Sequence, residues 1–179
     1  MIETLYSQAL DTDVNGFNGE TLVQKWAIAA LTMPSGAISQ IRFTFEAGAG
    51  EATTITNAYV GHAAGAGDAY DFSATPVQIL WAGAGTKAIS AGATAVSDWA
   101  VFAYNKTSPL LVAFYIGGGV SVDTIREKTG LGANIVLYEK VANDAATVDK
   151  TGYGSNSGFL GAINKIEVET PGGGFILFF

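Results

Sequence analysis

The sequence predicts an all-β chain: an antiparallel β-sandwich of jelly-roll type, with about nine strands and at most one short helix. Three observations lead there. Apolar residues alternate with polar ones at period two from one end of the chain to the other. Clusters of Gly, Pro, Asn and Asp, drawn partly from 23 glycines, separate the alternating runs. Helical periodicity is confined to one short stretch.

Taken in chain order, the first strand expected is KWAIAALTM, residues 25–33. ISQIRFTF follows, where Ile41, Phe43 and Phe45 share one face and Gln40, Arg42 and Thr44 the other, the pattern of a strand with one side buried. TTITNAYV (53–60), VQILW (77–81), DWAVFAY (98–104), LLVAFYI (110–116), NIVLYEK (134–140) and INKIEVE (163–169) are rich in β-branched and aromatic residues. VDTIREKT, residues 122–129, has the composition for a helical turn or two. GFILFF closes the chain after a run of glycines. Residues 170–179 are expected to be either the last strand of the core or a tail covered by a neighbouring subunit, since exposed apolar side chains invite aggregation.

At 179 residues the chain has the length of one domain, and no Pro/Ser linker or shift in composition divides it. Its apolar runs are too short for a membrane-spanning helix, which needs about 18 to 20 residues. The first residues carry no basic stretch followed by an apolar one, so no secretory signal is read there. Nine basic against sixteen acidic residues give a net charge of −7, with only two arginines and no basic cluster. Neither nucleic acid nor membrane is therefore expected as a partner.

The chemistry on offer is sparse. There is no cysteine and one histidine, His62. A Ser-His-Asp arrangement would have to run through that residue, and no G-x-S-x-G elbow is present. Asp68 with Asp71, and Asp144 with Asp149, are carboxylate pairs in sequence, but aspartates in Gly-rich loops ordinarily initiate turns. No cofactor is expected. GDAYDF and VANDAATVD could supply carboxylate and carbonyl oxygens to a structural calcium, although neither has EF-hand spacing. Aromatic residues remain. Sugars stack on Trp and Tyr rings while Asp and Asn take their hydroxyls. Trp26, Trp81 and Trp99 lie in strand patterns and read as core, whereas Tyr70 and Tyr153 lie in polar Gly-rich loops. The expected ligand site is therefore Asp68, Tyr70 and Asp71 from one loop, with Tyr153 and Asn156 from another. The segment HAAGAGDAYDF, residues 62–72, reads as a long loop between strands, with His62 structural rather than catalytic.

The order ISQIRFTFEAGAGEATTITNAYVGHA, then PVQILWAGAGTKAISAGATAVSDWAVFAYNKTSPLLVAFYI, resembles the non-catalytic β-sandwich module that precedes the catalytic domain in many GDSL/SGNH-type esterases. That module shows an (I/V)R-x-(R/T)-(L/F) strand, P-V-x-(F/L)-G-G, I-x-A-G-x-x-x-x-S-D and a final L-x-(V/A)-S/F-x-Y. Residues 41–45, 54–60 (matching an L-T-I leading to a small-residue strand), 76–83, 89–98 and 110–115 stand at the matching places, and the resemblance covers about half the chain. Trp99 stands where the module has Pro, and Trp81 where it has Phe or Leu. No GDS block and no Asp-x-x-His are present, so the hydrolase activity does not carry over and the chain is expected to be no enzyme. Standalone sandwiches of this sort resemble those of bacteriophage tail, fibre and head-spike proteins. The resemblance implies a carbohydrate-binding module on a phage or phage-like virion, assembled in the bacterial cytoplasm, oligomeric, and attached to host surface polysaccharide. Its alternative is a purely structural virion subunit that contacts its neighbours without binding glycan. An esterase or glycosidase fragment is the third reading.

Overall fold

The computed structural model describes residues 1–117 and 124–171. These form fifteen strands and one 3-10 turn, all strand pairs running antiparallel. The architecture is that of an all-β sandwich, as the alternation predicts.

One layer is built on β4 (Gln40–Glu46). It pairs on one side with β15 (Ile163–Glu169), which pairs in turn with β1 (Ile2–Ser7), and on the other with the short β8 (Thr94–Val96) and β9 (Ala100–Val101). The facing layer is seven-stranded. Its order is β13 (Gly154–Ser157), β12 (Ile135–Lys140), β3 (Glu20–Trp26), β10 (Leu110–Ile116), β5 (Thr53–His62) and β6 (Val77–Gln78), and β7 (Lys87–Ile89) also pairs with β5. A three-stranded sheet of β14 (Leu160–Gly161), β11 (Thr124–Lys128) and β2 (Thr12–Asn15) completes the set.

Alternation decides which side chains enter the core. Ile41, Phe43 and Phe45 are fully buried, while Gln40, Arg42, Thr44 and Glu46 look outward. Across the core, Phe45 meets Phe114 of β10 at 5.5 Å between ring centroids and Trp81 at 5.4 Å, both edge to face, an arrangement the ring quadrupoles favour. The run LLVAFYI lacks alternation because β10 is central and covered on both faces. Leu110, Val112, Phe114 and Ile116 belong to the main core, whereas Leu111 and Ala113 belong to a second apolar cluster on the other side of the sheet.

Among the described residues, Gln24 is the one buried side-chain amide of this core, with 0% exposure. Its Nε2 donates to the carbonyls of Val136 and Phe159, each at 3.0 Å, and its Oε1 accepts from the Gly161 N–H at 2.9 Å. One side chain thus ties β3 to β12 and to β14.

Three sequence expectations are corrected. Residues 124–128 form a strand, not a helix: Ile125 is fully buried, and β11 pairs with both β2 and β14. Two ready ladders outweigh a weak helical propensity. The strand expected at 25–33 lies earlier, at Glu20–Trp26, and Ile28–Ala30 is the 3-10 turn that follows it. The strands expected at 77–81 and 98–104 shrink to the two-residue β6 and β9. Residues 170 and 171 follow β15, with the Thr170 N–H donating to Met1 O at 2.9 Å. The rest of the expected tail, including Phe175 and Phe179, lies outside the described residues.

Candidate functional site

The second apolar cluster lies on the face of the seven-stranded sheet that points away from the core. Val23, Leu111, Ala113 and Tyr138 come from its strands, and Ala63, Phe72 and Ala145 from two loops laid over them, residues 63–76 and 141–153. Each loop is anchored by its backbone. In the first, the Asp71 N–H donates to Asp68 O at 3.0 Å, the Ala64 N–H to Asp71 O at 2.8 Å, and the Ser73 N–H to His62 O at 2.9 Å. The segment is thus a tight return rather than an open loop, with Gly67 at φ +92 in its turn, a conformation glycine adopts without penalty. In the second loop, Thr21 Oγ1 donates to Ala142 O at 2.6 Å and accepts from the Asp144 N–H at 3.2 Å.

Phe72, 2% exposed, lies flat on the sheet because position 61 has no side chain: a Cβ there would stand 2.6 Å from Phe72 Cδ1. Above the same ring sits the Lys150 ammonium, 3.8 Å from the centroid, and it donates to Thr147 O. Burial brings the Lys150 pKa down to about 8, against the opposing pull of the Asp144 and Asp71 carboxylates. The Phe72 N–H donates to Val148 O at 3.0 Å, so the two loops are hydrogen-bonded to each other.

Asp71 completes that junction. It is 5% exposed; Oδ1 accepts from the Lys150 N–H and Oδ2 from the Asp68 N–H, both at 2.8 Å. This corrects the expectation that Asp71 receives ligand hydroxyls. Its carboxylate holds the two loops together, while Asp68, three residues earlier, is exposed.

At the edge of this roof the two tyrosines read from the sequence do come together. The Tyr70 and Tyr153 rings lie 4.8 Å apart at 35°, and Tyr70 also meets Tyr138 edge to face at 5.3 Å. Tyr70 and Tyr153 remain partly exposed. Their hydroxyls are held by carboxylates: Tyr70 donates to Asp68 Oδ2 at 2.8 Å and Tyr153 to Asp144 Oδ1. Both hydroxyl pKa values are raised, that of Tyr70 chiefly by its bond to Asp68 and that of Tyr153 chiefly by burial and then by Asp144. Lys140 pairs with Asp144 Oδ2 at 3.2 Å, its ammonium 5.6 Å from the Tyr153 ring centroid. The rings are therefore fixed in orientation and present faces and edges rather than free hydroxyls.

Asn156 does not join them. It pairs with the core-facing Leu137 on β12, so it stands on the opposite face of the sheet from Tyr138, and its Nδ2 donates to Glu139 Oε1 at 3.3 Å. Tyr138, Lys140, Asp144 and Lys150 were not read from the sequence as site residues. The alternation of Val136, Tyr138 and Lys140 along β12 was a local signal for Tyr138 and Lys140, and the glycine inside the β5 strand pattern marked the close approach of Phe72.

Trp26 and Trp81 are core residues, as expected, with 0% and 4% exposure, whereas Trp99, also expected in the core, is not part of it. Trp99 is half-buried beneath the Arg42 guanidinium, 4.5 Å from its ring centroid. Among the described residues, no three acidic or histidine side chains converge as a metal site. Glu127, 7% exposed, has its carboxyl pKa raised by burial and by the neighbouring Glu139 and Asp11.

His62 lies apart from the tyrosines. Its ring stacks on Tyr104 at 5.4 Å and 11°, and its Nε2 accepts the Asn105 N–H at 2.7 Å. Accepting that bond requires an unprotonated Nε2, and burial lowers the pKa below its ordinary 6.5. The unfolded chain therefore binds the proton more readily than the folded one, so the histidine's contribution is complete above pH 6.5 and is lost as the pH falls below it. The stability gap between wild type and His62→Ala, about 1 kcal/mol near pH 8, is expected to close towards pH 5. Urea titrations of both proteins across that range check it, and a gap independent of pH would remove His62 as the titrating group.

The chain matches no protein-family model and no curated protein. No helix of the described residues is long and apolar enough to cross a membrane.

Proposed function

We propose that the chain is a non-enzymatic carbohydrate-binding β-sandwich module that takes a sugar at the Tyr70–Tyr153 edge. One observation carries this reading: two tyrosines far apart in sequence, each in a polar loop, meet ring to ring with their orientation set by Asp68 and Asp144. Preoriented, partly exposed rings beside an exposed carboxylate are what stacking and hydroxyl recognition require. Its place on a phage or phage-like particle, attached to host surface polysaccharide, rests on the motif resemblance.

A second reading, a structural virion subunit, has its own support. On the outward face of the five-stranded sheet, Ile2 is 55%, Val96 50% and Val101 76% exposed, and Ile2 and Val101 share one register row through Glu169 and Gln40. Aliphatic side chains so placed suit contact with a neighbouring subunit.

Titration of the isolated protein against a glycan panel tests the first reading. Tyr70→Ala is expected to weaken binding about fivefold or more, since a stacked ring contributes roughly 1 kcal/mol beyond its buried area. The thermal midpoint should change little, because Tyr70 sits at the rim of the roof. Equal affinity for wild type, Tyr70→Ala and Tyr153→Ala would move the site elsewhere. Absence of glycan binding, together with self-association abolished by Val101→Lys, would favour the structural reading.

A further inference from the structure

We infer that the glycan bound at the Tyr70–Tyr153 edge is an uncharged one, and that uronate-, sialate- or phosphate-bearing polysaccharides are excluded. The inference rests on the glycan reading above and concerns the charge that reading left open. The two loops that form the edge carry four aspartates, Asp68, Asp71, Asp144 and Asp149, against one lysine, Lys150. That lysine is 1% exposed and turned inward onto Phe72 and Thr147 O, so it is no receptor for an anion. Lys140, at the end of β12, is neutralised by Asp144.

The arginines, which would give bidentate recognition of a carboxylate or phosphate, are committed elsewhere. Arg42 pairs with Glu167 at 2.9 Å on the opposite layer, and Arg126 with Asp13 at 3.2 Å and Glu46 at 3.1 Å. Lys25 lies on the same sheet face as the roof, across from Val136 and Leu111, two register positions along from Val23–Tyr138. It is the one further cation that the test must separate. What the edge does offer is acceptors. Asp68 is exposed with lone pairs beyond the one that holds the Tyr70 hydroxyl, and a neutral sugar supplies the matching hydroxyl donors. An anionic sugar would bring a second negative charge against Asp68 in a site without a free counter-ion, and like-charge juxtaposition is costly.

The test is calorimetric titration of the full chain with matched pairs of oligosaccharides, neutral hexose or N-acetylhexosamine against the same backbone bearing uronate or sialate, at about 0.01 M and about 1 M ionic strength. Neutral ligands are expected to bind with an affinity that changes less than about twofold between the two salts, because no net charge is brought together. The anionic partners are expected to bind at least about tenfold more weakly at low salt and to recover part of that at high salt. Asp68→Asn, which keeps an acceptor for the Tyr70 hydroxyl, should narrow the gap by about threefold or more. Anionic ligands that bind as tightly as neutral ones, a gap unchanged in Asp68→Asn, or anionic binding abolished by Lys25→Ala would each overturn the inference while leaving the glycan reading intact. Failure of every ligand of both kinds would overturn the glycan reading, and the inference with it.

Discussion

Gln24→Leu is expected to lower the unfolding free energy by about 3 to 5 kcal/mol, because it strips hydrogen-bond partners from three backbone groups at once. The Val136 and Phe159 carbonyls and the Gly161 N–H all bond to this one amide, and Gln24 itself is fully buried. The gain in apolar surface from leucine does not offset the loss. A buried backbone group without a partner costs about 1 to 3 kcal/mol, whereas the leucine side chain meets a space shaped for a planar amide. Urea unfolding monitored by tryptophan fluorescence reads the change as a fall in midpoint at unchanged slope. Lys25→Leu, one residue along on the outward face, is the control and should stay within about 0.5 kcal/mol. A Gln24→Leu effect below about 1 kcal/mol would mean that β12 and β14 hold their places without this amide.

Asp71→Ala is expected to be the most damaging single change to the tyrosine edge, although Asp71 touches neither ring. Its two oxygens accept the Lys150 and Asp68 N–H groups, so alanine leaves two donors unpaired at the junction and removes a negative charge that favours the buried Lys150 ammonium. Hydrogen bonds to a charged group contribute about 1.5 to 3 kcal/mol each. Their loss should release the two loops from each other, with the Lys150 amide exchanging about 100-fold faster or more, as a local opening free energy reduced by about 3 kcal/mol requires. Sugar binding at the edge should fall with it, because Tyr70 and Tyr153 keep their facing geometry only while the loops are joined. Hydrogen exchange across the core strands β4 and β10 should be unaffected, and this separates loop release from general unfolding. Wild-type protection at Lys150 in the Asp71→Ala protein would show that the Phe72–Val148 hydrogen bond alone suffices.

Some of this molecule is present in local sequence. β4 and β15 are half-buried strands, and a buried face imposes period two on the residues themselves, so Ile41, Phe43 and Phe45 announce their side without reference to any partner. β10 is readable for another reason: a centre strand covered twice becomes a continuous apolar run. The candidacy of Tyr70 and Tyr153 was legible as well, since an aromatic among glycines and aspartates has no obvious core to enter.

β1, β2, β13 and β14 are short or polar, and their strand state comes from ladders with residues far along the chain, such as Ile2 with Glu169 and Thr12 with Glu127. β11 shows the same effect most plainly, a segment of helical composition held extended by β2 on one edge and β14 on the other.

At the candidate site, local sequence determined the residue types and tertiary structure determined their roles. Asp68 and Asp71 are the same acid three residues apart in one loop, and nothing local says which is buried. The difference is set by Lys150, whose backbone N–H reaches Asp71 across 79 positions of sequence, and by Phe72, which needs a bare Gly61 beneath it. Hydrophobic patterning is written residue by residue because burial of a face is a local demand. The partner that satisfies a buried polar group is chosen by the packing of distant segments, and that choice turned Asp71 into the clasp of the roof and left Tyr70, Tyr153 and Asp68 at its open edge.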